Sequence, residues 1–202
     1  MARITDPARL REIYGPVLER AAAKELDRLD RHCLRFIAHS PMILLASSDG
    51  ERLDVSPKGD APGFVQPDGE RAILIPDWPG NNRIDGLRNI CAHARVGVIF
   101  LIPNVRETLR INGPAAIFDD EDLRARFARK GRLPVTVLRV ETEEVFMHCS
   151  KSMLRSRLWQ PETWPERGAL PTLNEVMKDH AGQKGPVEPE DEMIARFEKI
   201  LY

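Results

Sequence analysis

The groups in this sequence whose spacing could do chemistry are a guanidinium, two side-chain amides, an ammonium and a hydroxyl. Asn81, Asn82 and Arg83 stand between an apolar run, Ala72 to Ile75, and Ile84, Leu87 and Ile90 at helical spacing, with Pro76, Pro79 and Gly80 breaking the chain. The segment from Arg71 to Ile90 therefore reads as strand, polar corner, helix. Free backbone N–H groups at a helix start attract anions, and amides with a guanidinium fork at the same corner make phosphate the natural ligand. The plainer alternative is a turn with an asparagine cap and a solvated arginine. Ser56 and Lys58 form a second candidate at a strand end, just before Gly59, Pro62 and Gly63 stop regular structure. A hydroxyl and an ammonium there can hold a phosphate, although lysine in a glycine-rich loop is often simply solvated. A third group, Lys151, Ser152, Arg155 and Trp159, crowds one short segment with Ser150, Ser156 and Arg157. Serines and arginines beside an aromatic fit RNA binding in isolation. The balance of 30 basic and 31 acidic residues, a formal charge of −1, argues against nucleic acid and anionic membrane as partners.

Elements must hold these residues in place. Asp6 before Pro7 caps a short helix bearing Leu10, Ile13 and Tyr14 and ending at Gly15; Val17, Leu18, Ala21 and Ala22 continue a helical face. After Asp30, Cys33, Leu34, Phe36 and Ile37 lie on another helix, closed at Ser40-Pro41. These helices are expected on the outside of the sheet. Met42 to Ser47, a turn at Ser48-Asp49-Gly50, and Leu53 and Val55 alternating with Arg52, Asp54 and Ser56 predict a hairpin with a polar outer face. Val96 to Ile102 is a nearly continuous apolar run, which predicts burial on both faces, one in a core and one against a subunit partner. Thr108 to Phe118 reads as a strand with a bulge or bend at Gly113-Pro114. Asp119 caps a helix ended by Gly131, and Val135 to Val140, extended to Phe146, supplies the last long strand. The tail carries a capping box at Thr172 and Glu175, a loose GQKGPVEPE linker and a final helix from about Glu190 to Ile200.

About six strands with short turns, flanked by helices rather than alternating with them, describe an α+β, mainly antiparallel fold: a small Greek-key barrel. At 202 residues one domain is expected, with N-terminal helices over 1–40, the barrel over 41–160 and a C-terminal helical arm over 161–202. Dinucleotide and P-loop fingerprints, a G-x-S-x-G elbow and H-E-x-x-H do not occur, so a cofactor would carry any reaction. Cys33, Cys91 and Cys149 lack a close C-x-x-C pair and read as reduced thiols with no metal expected, although His32, His93 and His148 lie near them in sequence. The opening stretch MARITDPARLREIYG has charges where a signal peptide needs an apolar centre, and no apolar run approaches the roughly eighteen residues of a membrane span. A cytoplasmic protein is expected.

Four blocks, DVSPKGDAPGF, ILIPDWPGNNRIDGLRNI, VGVIFLIP followed by ETLRINGPA, and HCSKSMLRSRLW, resemble in order the FMN-binding family related to pyridoxamine 5'-phosphate oxidase, over about Cys33 to Trp159. The likeness is to its uncharacterised branch. The resemblance implies an FMN-binding split β-barrel and a homodimer with FMN at the interface. By position, Val55, Ser56 and Lys58 resemble one segment beside the flavin and its phosphate, and Ile75, Pro76, Asn82 and Arg83, with Asn81 at the same corner, a second. Lys151, Ser152, Arg155 and Trp159 resemble the block that reaches the flavin across the dimer. The resemblance implies an FMN-dependent oxidoreductase acting on a small molecule; a non-catalytic flavin- or haem-binding module of the same fold is the alternative. A counterpart of the residues that grip pyridoxamine phosphate is not evident.

Overall fold

In the computed structural model, which describes residues 3–202, the chain is built around one long strand, β6 (Thr108–Phe118). Met1 and Ala2, part of the expected N-terminal arm, lie outside the described residues. On its first half β6 belongs to an antiparallel sheet with β2 (Leu53–Gly59), β1 (Met42–Ser48), β5 (Arg95–Leu101) and β8 (Glu144–His148), in the order β2-β1-β5-β6-β8. Its second half joins β7 (Thr136–Glu141), which pairs in turn with β4 (Ala72–Asp77) and the short β3 (Gln66–Pro67). Asn112 pairs with Glu144 and Ala115 with Val140, so the β7–β8 side carries one residue more than the β6 side between those pairs. That is a bulge in the β7–β8 strand, at 141–143 and opposite Gly113-Pro114 rather than within β6 as expected, and β6 runs through it from the first sheet into the second.

The two sheets face each other over one apolar core. Ile43, Leu45, Val98, Phe100 and Ile111 come from the first sheet, and Ile73, Ile75, Leu138 and Val140 from the second. Among the described residues, no backbone ladder joins the free edges, β2 on one sheet and the β3–β4 side of the other. The result is an α+β, mainly antiparallel split barrel with an open seam and flanking helices. Among the described residues it has eight strands rather than about six, because the bulge divides the last strand and the short β3 was not expected.

Helix α3 (Arg31–His39) begins where Asp30 accepts backbone hydrogen bonds from His32 at 2.9 Å and Cys33 at 2.8 Å. Its Cys33 and Ile37 enter the barrel core, a correction to the expectation that it packs outside. Asp30→Ala is expected to cost about 1 kcal/mol, lowering the melting temperature by about 2–4 °C; a thermal melt checks it. Earlier in the chain, α1 (Pro7–Tyr14) and α2 (Glu19–Ala22) bury none of their residues. Between the sheets, α4 (Asp85–Ala92) contributes Ile90 to the core. The helix expected from Asp119 to Gly131 is shorter: α5 (Glu121–Ala125) stops, Phe127 packs with Leu74 and Val137, and Lys130 and Gly131 turn left-handed at φ 48° and 76°. α6 (Lys151–Ser156), α7 (Leu173–His180), with the predicted capping box, and α8 (Glu190–Glu198) complete the chain.

β5 alternates: Val96, Val98 and Phe100 point into the core as expected, while Gly97, Ile99 and Leu101 on the other face are half-exposed in the single chain. One face assignment needs correction. β2 is reversed relative to expectation. Leu53 and Val55 are 84% and 63% exposed, and Asp54, Ser56 and Lys58 alternate onto the sheltered side. β2 is an edge strand at the seam, and its inward side meets a polar cavity instead of the apolar core.

Candidate functional site

A cavity of about 470 Å³ lies along the seam, between β2, the end of β4, the corner before α4 and the start of β7. Ser56 and Lys58 reach it from β2, and Asn81, Asn82 and Arg83 from the corner, so the structure brings two of the predicted groups together. Period-two alternation explains why Ser56 and Lys58 share a face and why Val55, next to Ser56 in the chain, points away. Ile75 and Pro76 are buried in β4 and hold the wall without lining the cavity.

The third group is elsewhere. Lys151, Ser152 and Arg155 are exposed on α6, and Trp159 donates its indole N–H to the Val105 carbonyl at 2.9 Å. α6 follows β8, which is four strand spacings from β2, about 19 Å. Near it, the Arg110 guanidinium and the Lys24 ammonium lie 4.5 and 5.0 Å from the Phe146 ring centre, and Arg110 pairs with Glu144 at 3.1 Å. Burial, with Arg110 and Lys24 beside it, holds His148 below the usual histidine range.

The seam cavity also contains charges that the sequence reading missed. Lys58 is ion-paired with Asp77, both about one-fifth exposed. Arg83 pairs with Asp85 at 2.8 Å, but their side chains are 76% and 43% exposed, and such a pair is worth little. Asp54 accepts the Ser56 hydroxyl at 2.7 Å. A side chain on Gly86, in the first turn of α4, would meet that same carboxylate at 2.8 Å. The helix start expected to attract a ligand anion therefore already faces an internal one. No side-chain cap bond serves it: Ile84 occupies the cap position at φ 48°, and Asn81 instead accepts from the Arg83 backbone at 3.1 Å. Asn89, buried in α4, donates to Ser47 at 3.3 Å and holds the helix against β1.

Two further residues line the cavity with unsatisfied donors. Among the described residues, the enclosed Trp78 indole N–H and Thr136 hydroxyl have no hydrogen-bond partner. Asp54 was legible from its alternation with Ser56 and Lys58, and Asp77 and Trp78 from their place in the polar corner. Thr136 carries no comparable signal, because only the β4–β7 ladder brings it there.

Cys33 is buried, and burial pushes its thiol up to about 11, which removes it as a nucleophile. Among the described residues, no group of three His, Cys, Asp or Glu side chains is placed to hold a metal ion, and no helix is long and apolar enough to cross a membrane.

The fold is a split antiparallel barrel whose seam holds two cations, Lys58 and Arg83, each paired with a carboxylate. The sequence profile of the pyridoxamine 5'-phosphate oxidase family matches residues 29–149, more than half of the chain, and the chain belongs to that family. Similar solved structures include HupZ of Group A Streptococcus, 15% identical over 59% of this chain and 93% of that one, with a TM-score of 0.47. An FMN-binding protein from Syntrophomonas wolfei is 12% identical over 59% and 88%, with a TM-score of 0.45. A NimC/NimA family protein from Clostridium acetobutylicum is 16% identical over 60% and 88%, with a TM-score of 0.43. No curated protein matches the sequence significantly.

Proposed function

We propose that this protein is an FMN-dependent oxidoreductase acting on a small molecule, and that it works as a homodimer with FMN at the interface. The observation that carries the reading is the convergence of Lys58 and Arg83, from separate elements, on one seam cavity. Two cations, the amides of Asn81 and Asn82 and the Ser56 hydroxyl suit a terminal phosphate. Asp54, Asp77 and Asp85 oppose an anion and hold Ser56, Lys58 and Arg83, so a phosphate takes these donors by displacing their carboxylate partners. In this reading Val55, Ile75 and Pro76 lend backbone walls beside the flavin. FMN supplies the redox chemistry when bound, and the protein's part is to bind it, orient it and exclude water.

The dimer accounts for features that one chain leaves unexplained. Leu53 and Val55 on β2, Leu44 on β1 and Ile99 and Leu101 on β5 make an uncovered apolar sheet face, the kind of surface that obligate interfaces bury. A second copy on that face would carry its α6 segment, with Lys151, Ser152, Arg155 and Trp159, past the β2 edge toward the seam cavity, which α6 of the same chain does not line.

The purified protein is expected to be yellow, to release FMN on denaturation by mass, and to sediment as a dimer at micromolar concentration. A colourless protein that takes up no FMN on titration overturns the function. Recovery of haem moves it to a different cofactor class, and a flavin-loaded monomer overturns the shared site.

A further inference from the structure

Resting on that reading and deepening it, we propose that Asp77 is a switchable counter-ion: it clasps Lys58 in the ligand-free protein and yields it to the phosphate of the ligand. Lys58 lies on the edge of one sheet and Asp77 at the end of a strand in the other, and no backbone ladder joins those edges among the described residues. Their ion pair bridges the seam at the cavity. An anion that takes Lys58 must break that bridge and leave a half-buried carboxylate behind. Stranding a charge is costly unless something else satisfies it.

The satisfying group is already in place. Thr136 is the residue directly opposite Asp77 in the β4–β7 ladder, and both line the cavity. Side chains so paired share a face and start about 4.5–5.5 Å apart at Cβ, within reach of a hydroxyl-to-carboxylate bond. Yet the Thr136 hydroxyl is enclosed and, among the described residues, donates to nothing while Asp77 is held by Lys58. Releasing Lys58 lets Asp77 turn to this idle donor. The two arrangements therefore differ in which polar groups are satisfied, and the one with phosphate on Lys58 leaves fewer unpaired. Only a ligand with a strong anion can displace a carboxylate from an ammonium, so the clasp selects FMN over its neutral, dephosphorylated form.

The test is titration of FMN and of riboflavin into apo-protein, with melting curves, for wild type and three variants. Asp77→Asn removes the competing charge and keeps an acceptor for Thr136, so FMN affinity rises about three- to tenfold while riboflavin affinity stays the same. Thr136→Val weakens FMN binding by a similar factor without lowering the ligand-free melting temperature, because its hydroxyl has no partner to lose. Lys58→Met weakens FMN binding about ten- to a hundredfold, with riboflavin affinity unchanged. Unchanged or weaker FMN binding in Asp77→Asn, beside a clear loss in Lys58→Met, overturns the clasp and leaves the phosphate site standing. A fall in the ligand-free melting temperature of Thr136→Val also overturns it, and that variant decides the matter alone should Asp77→Asn not fold. Lys58→Met binding FMN like wild type removes the phosphate site and the clasp together, as does a wild type that binds no FMN.

Discussion

Gly113→Ala is expected to destabilise the protein by about 3 kcal/mol or more, a drop of about 6–12 °C in melting temperature. A Cβ at this position would sit 1.9 Å from the Glu141 carbonyl oxygen, 3.0 Å from its carbon and 3.3 Å from the Glu143 nitrogen. All three are backbone atoms, so no rotamer change relieves the clash. Nor can the facing strand retreat cheaply. Glu143 donates to the Asn112 carbonyl at 3.0 Å, and Thr142 is anchored by its backbone to Arg71 at 2.9 Å and by its hydroxyl to Asp27 at 2.8 Å. Glycine is required here because the bulge presses two backbones together where β6 passes between sheets. Gly97→Ala is the control: its Cβ would meet the Asn112 side-chain oxygen at 3.1 Å, a group that can shift, and a loss below about 1 kcal/mol is expected. Thermal melts of both variants decide it, and a Gly113→Ala protein melting within about 2 °C of wild type rules out the close approach.

Arg83→Ala is expected to weaken FMN binding by about ten- to a hundredfold, or about 1.5–3 kcal/mol, the range for hydrogen bonds to a charged group. Stability should hardly change. The Arg83 side chain is 76% exposed, and its only ion-pair partner among the described residues is the partly exposed Asp85 at 2.8 Å, so its removal breaks a weak surface pair. That exposure also lets the guanidinium swing from Asp85 to a phosphate at little cost. Arg83→Lys should recover part of the loss, since an ammonium restores charge without the planar fork. Titration of FMN into apo forms of the three proteins separates this from a merely solvated arginine: equal affinities remove Arg83 from the site.

The exposed reading of Arg83 and the phosphate reading were both open in the sequence, and the structure contains elements of each. Asn81 serves the turn, as a plain cap residue would, by accepting from the Arg83 backbone. The arginine nevertheless lines a cavity that Lys58 enters from another element. Arg83 and Lys58 were legible as separate candidates. Asp77 and Asp85 were legible as members of the polar corner, but their pairing with Lys58 and Arg83 follows only from the folded chain.

Local pattern was enough for what depends on near neighbours. Asp6 caps its helix, Thr172 and Glu175 form the capping box, and Thr108–Phe118 is a strand, with Gly113-Pro114 facing the bulge of its partner. Each follows from side-chain chemistry or backbone sterics acting over a few residues. Which face of a strand meets what is a different kind of fact. The alternation in β2 separates Leu53 and Val55 from Asp54, Ser56 and Lys58, but period two cannot say which set faces inward. Only the seam decided that, by putting a polar cavity where an apolar core would have drawn Leu53 and Val55 in. Likewise the composition of α6 is plain in the sequence, while its position four strands from Lys58 follows from the order β2-β1-β5-β6-β8. Strand order and register are set by pairings between residues far apart in the chain, and those pairings determined which cations share a cavity, which acids hold them, and which hydroxyl waits beside Asp77.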